Sequence, residues 1–255
     1  ISARPDPKKY QKINHHLYGF HDAKKSFSTG DWLKLAIQKI KEVQKRNKIP
    51  ILVGGTGLYF KALTDGLVKI PNIPLKFRNQ IRNFHKRLGQ KEFYKKLLKL
   101  DSSSKGKIYS TDAQRSIRAY EVKKFTKRSL NDWYKNTKSN FTKDNFIKIY
   151  IDFPRKELID RINIRTEEMI KIGAINEIKN FLRLKIKKDK SVLKAIGINE
   201  IKEYLSHNKK LEEIKEKISI KTRQYAKRQS TWARSNMISW VKLKPQDLNK
   251  FLKKI

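Results

Sequence analysis

The sequence predicts an α/β fold, in which helices flank a parallel sheet and a helical domain is inserted into the core. Three observations support this prediction. A short apolar run at 49–53 lies between two stretches of helical spacing and leads into a glycine-rich turn. Strand-forming residues return at 146–151 and again at 238–243. From Pro71 to about Phe141 the sequence changes to short, basic segments with helical spacing, which favours a helical insertion over further sheet.

The first predicted element is an amphipathic helix. The cluster Ser28-Thr29-Gly30-Asp31 can cap its start, and Asn47 and Pro50 mark its end. Apolar residues at helical spacing form its buried face, namely Leu33, Ala36, Ile37, Ile40 and Val43.

A strand, a turn and a second helix follow. The continuous apolar run Ile49–Val53 predicts a strand that is covered on both faces. The turn is Gly54-Gly55-Thr56-Gly57, and its backbone N–H groups can approach an anionic oxygen at the start of the next helix. Glycine turns of this kind also occur in many α/β proteins for structural reasons alone.

The helical insertion is expected at 73–142, so that 1–72 and 143–255 together form the core. After the strand at 146–151, helical spacing predicts a helix from Pro154 to Gly173. The same spacing predicts a further helical segment over Ile175–Leu182, a long helix at about 211–234 and then the last strand.

Composition restricts the classes of function. Among 255 residues, 62 Lys and Arg against 24 Asp and Glu give a formal net charge of +38, which favours a polyanionic partner such as nucleic acid. A general lysine enrichment of solvated faces explains the charge equally well, so charge alone selects no substrate. The absence of cysteine excludes disulfides and thiol nucleophiles and favours a reducing cytoplasm. The histidines lack ligand spacing, and no apolar run suits a membrane span, so we expect neither a bound transition metal nor a membrane.

Several blocks resemble the tRNA dimethylallyltransferases, and the agreement extends over nearly the whole chain. Ile49–Leu63 strongly resembles the corresponding segment of that family. Asp112–Val122 is similar to the family's insertion-domain block, and Thr222–Arg234 is similar to its tRNA-facing helix. The helix with Arg161 and Arg165 is also similar, whereas the block around Gly197 is a weaker match.

The resemblance implies a P-loop NTPase-like core and a prenyl transfer reaction. In that reaction a dimethylallyl group passes from its diphosphate to N6 of adenosine 37 in tRNA, which gives N6-dimethylallyladenosine and diphosphate. Thr56 is the implied catalytic hydroxyl at the diphosphate, and the implied diphosphate-binding glycines are Gly54, Gly55 and Gly57.

The resemblance also implies a catalytic arginine that binds phosphate. Arg161 and Arg165 lie four residues apart on one helix face, and the sequence does not select between them. Without the resemblance, a surface pair with Glu157 or Glu168 is the better interpretation.

The implied partner is the anticodon stem-loop of tRNA. The expected contacts are Gln114, Arg115 and Arg118 in the insertion, and Arg223, Lys227, Arg228, Gln229, Thr231 and Arg234 in the C-terminal helix. Tyr225 and Trp232, which share another face of that helix, are expected to pack in the core.

The sequence departs from the family at one essential motif. It contains no G-x-x-x-x-G-K-[ST] segment, and the nearest text, Gly106-Lys107-Ile108, lacks the upstream glycine and the hydroxyl residue. In the family this P-loop and an aspartate that acts as general base precede the point corresponding to Ile1. We therefore expect an N-terminally incomplete chain, whose Mg²⁺ ligands lie mostly in the missing segment. If the polypeptide begins at Ile1, it is expected to have little or no transferase activity. The resemblance also favours a monomer.

Two alternatives stay open. An adenylate isopentenyltransferase acts on free nucleotides and has no need of RNA-facing residues, so a comparison of tRNA with AMP separates it from the leading hypothesis. A catalytically inactive RNA-binding remnant would bind diphosphate without turnover.

Overall fold

The computed structural model describes residues 13–187 and 190–254. Contacts divide the chain into two compact units. The first unit is Ile1–Phe60 with Asp144–Ile255, and the second unit is Lys61–Lys143. The assignment of 73–142 as a tRNA-facing insertion domain stays a prediction.

Helices make up most of the described chain. In chain order they are α1 (Thr29–Gln44), α2 (Gly57–Thr64), α3 (Leu75–Leu100), α4 (Ala113–Thr126), α5 (Leu130–Lys135), α6 (Arg155–Lys171), α7 (Ala174–Arg183), α8 (Ile198–Leu205), α9 (Leu211–Asn236) and α10 (Leu248–Leu252). The predicted helices that begin near residues 29, 57, 155, 174 and 211 are therefore confirmed.

Helix α1 begins at a capping box. The Ser28 hydroxyl accepts a hydrogen bond from the Asp31 backbone N–H at 3.1 Å, and the Asp31 carboxylate accepts one from the Ser28 N–H at 3.0 Å. The buried side chains of this helix are Leu33, Ala36 and Ile40, which follow the predicted apolar spacing. The helix ends at Gln44, before Asn47 adopts a left-handed conformation with φ of 53°.

The sheet among the described residues has two parallel strands, β1 (Ile149–Ile151) and β2 (Val241–Leu243). Ile149 pairs with Val241, and Ile151 pairs with Leu243. Both strands lie inside predicted strand segments. The two strands are parallel because the chain returns through helices α6 to α9 before β2 begins.

The strand predicted at 49–53 is wrong. These residues have no regular secondary structure, and Ile49, Ile51 and Val53 are 86%, 82% and 79% exposed. A strand is stable only when its backbone groups are paired, and the sheet among the described residues contains β1 and β2 but not 49–53. An apolar run indicates a tendency to be buried, but a strand also requires a partner strand, which the run itself does not predict.

The core of the first unit is formed where α6, α7, α8 and α9 meet. Its buried residues are Met169, Ala174, Ile178, Ile198, Ile201, Ile214 and Ile218. Complete burial of one isoleucine contributes about 1.5–3 kcal/mol, so this cluster contributes substantially to the stability of the unit. Ser219 donates a hydrogen bond to Thr166 at 3.1 Å, and Lys215 pairs with Glu167 at 2.8 Å. These contacts hold α6 against α9.

The second unit is built on the packing of α3 against α4. Phe93 and Leu97 of α3 are completely buried, as are Ala119 and Val122 of α4. Helix α3 is interrupted at Gly89, whose φ of 73° and ψ of 165° lie outside the helical region. Glycine permits this break because the conformation is strained for residues with a side chain.

A buried carboxylate fixes the end of α3. Asp101 accepts hydrogen bonds from the hydroxyl groups of Ser103 at 2.6 Å, Ser129 at 2.7 Å and Ser104 at 3.2 Å. Burial alone would raise the pKa of Asp101, but these three hydrogen bonds outweigh it and lower the pKa. The network therefore joins the end of α3 to the start of α5, because Ser129 is the N-cap of α5.

Candidate active site

The glycine turn lies at the N-terminus of α2, as the sequence predicts. Gly54, Gly55 and Thr56 are exposed, and Gly57 is the first residue of the helix. The backbone N–H of Tyr59 donates to the Thr56 carbonyl at 2.9 Å, which closes the turn. The Thr56 side chain is accessible rather than packed in the core, as contact with a ligand requires. The free N–H groups at a helix start favour an anion at this position.

Helix α9 supports this turn from one side. The side-chain amide of Gln229 donates a hydrogen bond to the Gly55 carbonyl oxygen at 3.0 Å. A Cβ atom added to Gly57 would overlap the indole ring of Trp232, and one added to Gly55 would overlap the Gln229 side chain. Glycine at these two positions therefore lets the turn approach α9 closely. Two blocks that the sequence places far apart, 54–57 and 229–232, form one site.

Aromatic rings flank the helix that follows the turn. Trp32 of α1 stacks on Tyr59 with ring centroids 4.3 Å apart and an interplanar angle of 11°. Phe60 packs edge-on against Trp240 at 5.4 Å. Burial raises the pKa of Tyr59, so its hydroxyl stays protonated at neutral pH. These contacts fix the start of α2 against α1 and the segment before β2.

Arg161 and Arg165 are both exposed on α6. The Arg161 guanidinium carbon lies 4.9 Å from the centroid of the Phe153 ring, a distance suited to a cation–π contact. This contact orients Arg161, in the N-terminal half of α6, toward the segment that joins β1 to α6. The assignment of either arginine to the diphosphate stays a prediction.

The cationic residues of α9 are distributed along its accessible surface. Lys227, Arg228 and Arg234 are exposed, as is the Thr231 side chain, whereas Arg223 is half-buried. The placement of Tyr225 in the core is wrong, because this ring is 41% exposed. The Arg228 guanidinium carbon lies 5.6 Å from its centroid. Trp232 does pack against the protein, through its contact with Gly57.

The predicted RNA-facing residues of the second unit lie on α4. Gln114 and Arg115 are exposed, and Arg115 pairs with the helix N-cap Asp112 at 3.2 Å. Arg118 is half-buried, with a guanidinium nitrogen 3.6 Å from the carboxylate of Glu121. That carboxylate also pairs with Arg78 of α3 at 3.5 Å.

The sequence analysis did not identify Glu121 as the partner of Arg118, or Arg78 as a second partner of Glu121. Glu121 lies three residues after Arg118 on the same helix face, which is the signal that could have pointed to it. Arg78 lies in a different helix, and no local spacing connects it with Arg118.

Two further observations concern metal binding and membrane spans among the described residues. These residues contain no group of three or more His, Asp or Glu side chains that could hold a metal ion. No helix in the described ranges combines the length and the apolar character needed to cross a membrane.

Comparisons with known proteins identify the family. The sequence profile described as IPP transferase matches residues 1–236. The chain belongs to the IPP transferase family. A tRNA dimethylallyltransferase of Pelagibacter ubique is 56% identical over 255 residues, which are 100% of this chain and 82% of that protein. A tRNA dimethylallyltransferase of Rickettsia massiliae is 41% identical, over 98% of this chain and 69% of that protein. The resemblance found in the sequence is therefore confirmed.

Solved structures of IPP transferases show the same fold. The full-length tRNA isopentenylpyrophosphate transferase of Bacillus halodurans matches with a TM-score of 0.62 and 30% identity, over 94% of this chain and 75% of that one. A eukaryotic dimethylallyltransferase acting on tRNA matches with a TM-score of 0.81 over 97% of this chain and 64% of that one. Because the two sequences are only 23% identical, this match supports the fold alone. The predicted fold class, a P-loop NTPase-like α/β core with helices, is confirmed by these similarities.

Proposed function

We propose that this protein transfers a dimethylallyl group from dimethylallyl diphosphate to N6 of adenosine 37 in tRNA. The observation that supports this most directly is the packing of Gln229 and Trp232 against the turn at 54–57. This contact joins an anion-binding turn to a helix with an exposed cationic surface in one unit. A pocket for a diphosphate and a surface for RNA are the two requirements of the reaction.

The chemistry is a displacement at an allylic carbon. N6 of adenosine attacks C1 of the dimethylallyl group, the bond from C1 to the diphosphate oxygen breaks, and N6 loses a proton. Negative charge on the departing diphosphate increases as this bond breaks. The Thr56 hydroxyl and the backbone N–H groups of the turn can donate hydrogen bonds to those oxygens. Arg161 or Arg165 would add a guanidinium group to the same charge.

The RNA contribution comes from cationic and amide side chains. Lys227, Arg228 and Arg234 of α9 contact phosphates, and Gln114, Arg115 and Arg118 of α4 contact the anticodon stem-loop. Arg223, Gln229 and Thr231 belong to the proposed surface of α9, and the Gln229 amide also donates a hydrogen bond to the Gly55 carbonyl oxygen. The adenine must leave its stack before N6 can reach the allylic carbon, and contacts to the surrounding backbone stabilise that arrangement.

Magnesium, oligomeric state and location are further proposals. Mg²⁺ commonly binds through substrate phosphates and retains several waters, which suits a diphosphate substrate. The described residues do not form a metal site on their own, so we assign no step to the ion. We also propose that the protein acts in the cytoplasm, because its substrate is tRNA and the chain lacks cysteine, and that it acts as a monomer.

The test is a transfer assay with the full-length protein. We expect labelled dimethylallyl diphosphate to modify an unmodified anticodon stem-loop, with N6-dimethylallyladenosine as the product after nuclease digestion. A stem-loop with guanosine at position 37 should remain unmodified. Preferential modification of AMP would instead support an adenylate isopentenyltransferase, and diphosphate binding without transfer to either acceptor would support an inactive RNA-binding protein.

A further inference from the structure

Glu121 is a carboxylate in the interior of the second unit. Its residue exposure is 1%, and the same carboxylate oxygen, Oε2, lies 3.5 Å from Arg78 Nε and 3.6 Å from Arg118 Nη1. A buried carboxylate is costly unless it is paired. Two guanidinium groups from different helices therefore compensate for this one buried charge.

The two arginines retain the capacity to bind another anion. Their side chains are 38% and 39% exposed, although Glu121 itself is buried. Both distances to the carboxylate exceed that of a normal hydrogen bond, and Arg78 Nε is a buried atom without a hydrogen-bond partner among the described residues. Each guanidinium has five N–H donors, so one carboxylate oxygen leaves most of them for a further acceptor. One negative and two positive charges also leave a net positive charge.

The chemistry of this group favours a phosphate as the further acceptor. Two planar guanidinium groups fixed beside each other can each present a pair of N–H donors to phosphate oxygens. Gln114 and Arg115 are exposed one turn earlier on α4, so the arginine pair continues the RNA-facing surface predicted there.

We propose that Glu121 is a positioning residue that holds Arg78 and Arg118 as a clamp for one backbone phosphate of the tRNA substrate. The inference rests on the proposed function and adds Arg78 to its RNA contacts. Glu121 acts through the arginines and does not contact the RNA itself. Arg78 fixes one side of the clamp from α3, and Arg118 fixes the other from α4.

The decisive variant is Arg78→Ala in the full-length protein. We expect Kd for an anticodon stem-loop to rise about tenfold, and the slope of log Kd against log salt to decrease by about one. The KM for dimethylallyl diphosphate, and kcat at saturating stem-loop, should stay unchanged. Arg78→Lys should recover part of the affinity, because it restores the charge without the planar fork.

Arg87→Ala is the matched control. Arg87 is also an exposed arginine of α3, and it lies 5.7 Å from the Phe84 ring rather than beside Glu121. Its replacement should leave affinity and salt slope at wild-type values. If Arg78→Ala behaves like Arg87→Ala while the wild-type protein binds and prenylates the stem-loop, the clamp is wrong and the proposed function stands. If the wild-type protein does neither, the proposed function itself fails.

Glu121→Gln tests the positioning role separately from stability. As a single substitution, Glu121→Gln should weaken stem-loop binding. In a protein that already carries both Arg78→Ala and Arg118→Ala, adding Glu121→Gln should cause no further weakening. A purely structural role would lower affinity by the same factor in both backgrounds, and that result would overturn the positioning role. Thermal unfolding of each variant identifies any that fail to fold. If the Glu121 variants fail, Arg78→Ala decides; if Arg78→Ala fails, Arg78→Lys decides, because it keeps a positive charge beside Glu121.

Discussion

Residues of the turn differ in how closely they approach their surroundings, although the sequence presents them as one glycine-rich motif. Gly54 has open space around the position of a Cβ atom, whereas Gly57 faces the indole ring of Trp232. Spacing predicted the turn correctly, because a tight turn before a helix depends on neighbouring residues only. It could not predict which glycine contacts α9, because that contact joins residues far apart in the chain.

Replacement of Gly57 by alanine should destabilise the protein. The added methyl group overlaps the rigid Trp232 ring, so backbone or ring must move, at a cost of about 1–3 kcal/mol. Thermal unfolding of Gly57→Ala measures this loss, and Gly54→Ala serves as the control with no nearby atoms to displace. Equal unfolding temperatures for both variants would contradict the close packing of the turn on α9.

The hydroxyl of Thr56 should affect the chemical step rather than RNA binding. Loss of one hydrogen-bond donor to a developing oxyanion typically lowers kcat by about 100-fold or more, so Thr56→Ala should slow transfer on this scale. Single-turnover transfer rates and stem-loop Kd values separate the two effects, and Thr56→Ser should retain most of the rate. A large rise in Kd with an unchanged rate would refute the placement of this hydroxyl at the diphosphate.

At the scale of elements, structure that depends on neighbouring residues was predicted correctly, whereas structure that depends on contacts between distant residues was not. Helices α1 and α9 follow from apolar spacing and from capping groups within the same segment, so the sequence predicts them closely. The run at 49–53 has equally strong apolar character but no paired partner, and the structure leaves it exposed. Arg78 and Glu121 show the same limitation for a site, because their contact depends on how α3 packs on α4.

The network at the end of α3 should make stability depend on acid pH. The pKa of Asp101 is lowered in the folded protein, so its contribution is fully present above the ordinary aspartate pKa of about 4. That contribution is lost as pH falls through the lower pKa of the folded state. Asp101→Asn should cost about 1–3 kcal/mol at neutral pH and remove this part of the acid dependence.

Unfolding temperatures measured from pH 7 to about pH 2 test this expectation. Asp132→Asn is a suitable control, because Asp132 belongs to the same unit and forms an accessible ion pair with Lys135. If the two variants lose stability in parallel with the wild-type protein as the pH falls, Asp101 is not responsible for the acid dependence.

For the whole molecule, the net charge of +38 sets the background against which every specific contact acts. So many cations attract RNA without selecting a site, and this attraction decreases strongly with added salt. Charge therefore predicted the class of partner but not the residues that contact it. The substitution of a single cation is informative only when it is compared with that of another cation elsewhere on the same surface.

Arg118→Ala and Lys124→Ala provide that comparison on one helix. Both residues belong to α4, but Arg118 pairs with the buried Glu121, whereas Lys124 is exposed on another face. A non-specific role for the charge predicts equal, small losses of stem-loop affinity. A fixed phosphate contact predicts that Arg118→Ala weakens binding about tenfold and decreases the salt slope by about one, while Lys124→Ala changes neither. Stem-loop Kd values at several salt concentrations decide between these outcomes, and equal effects would assign RNA binding by α4 to overall charge rather than to a defined site.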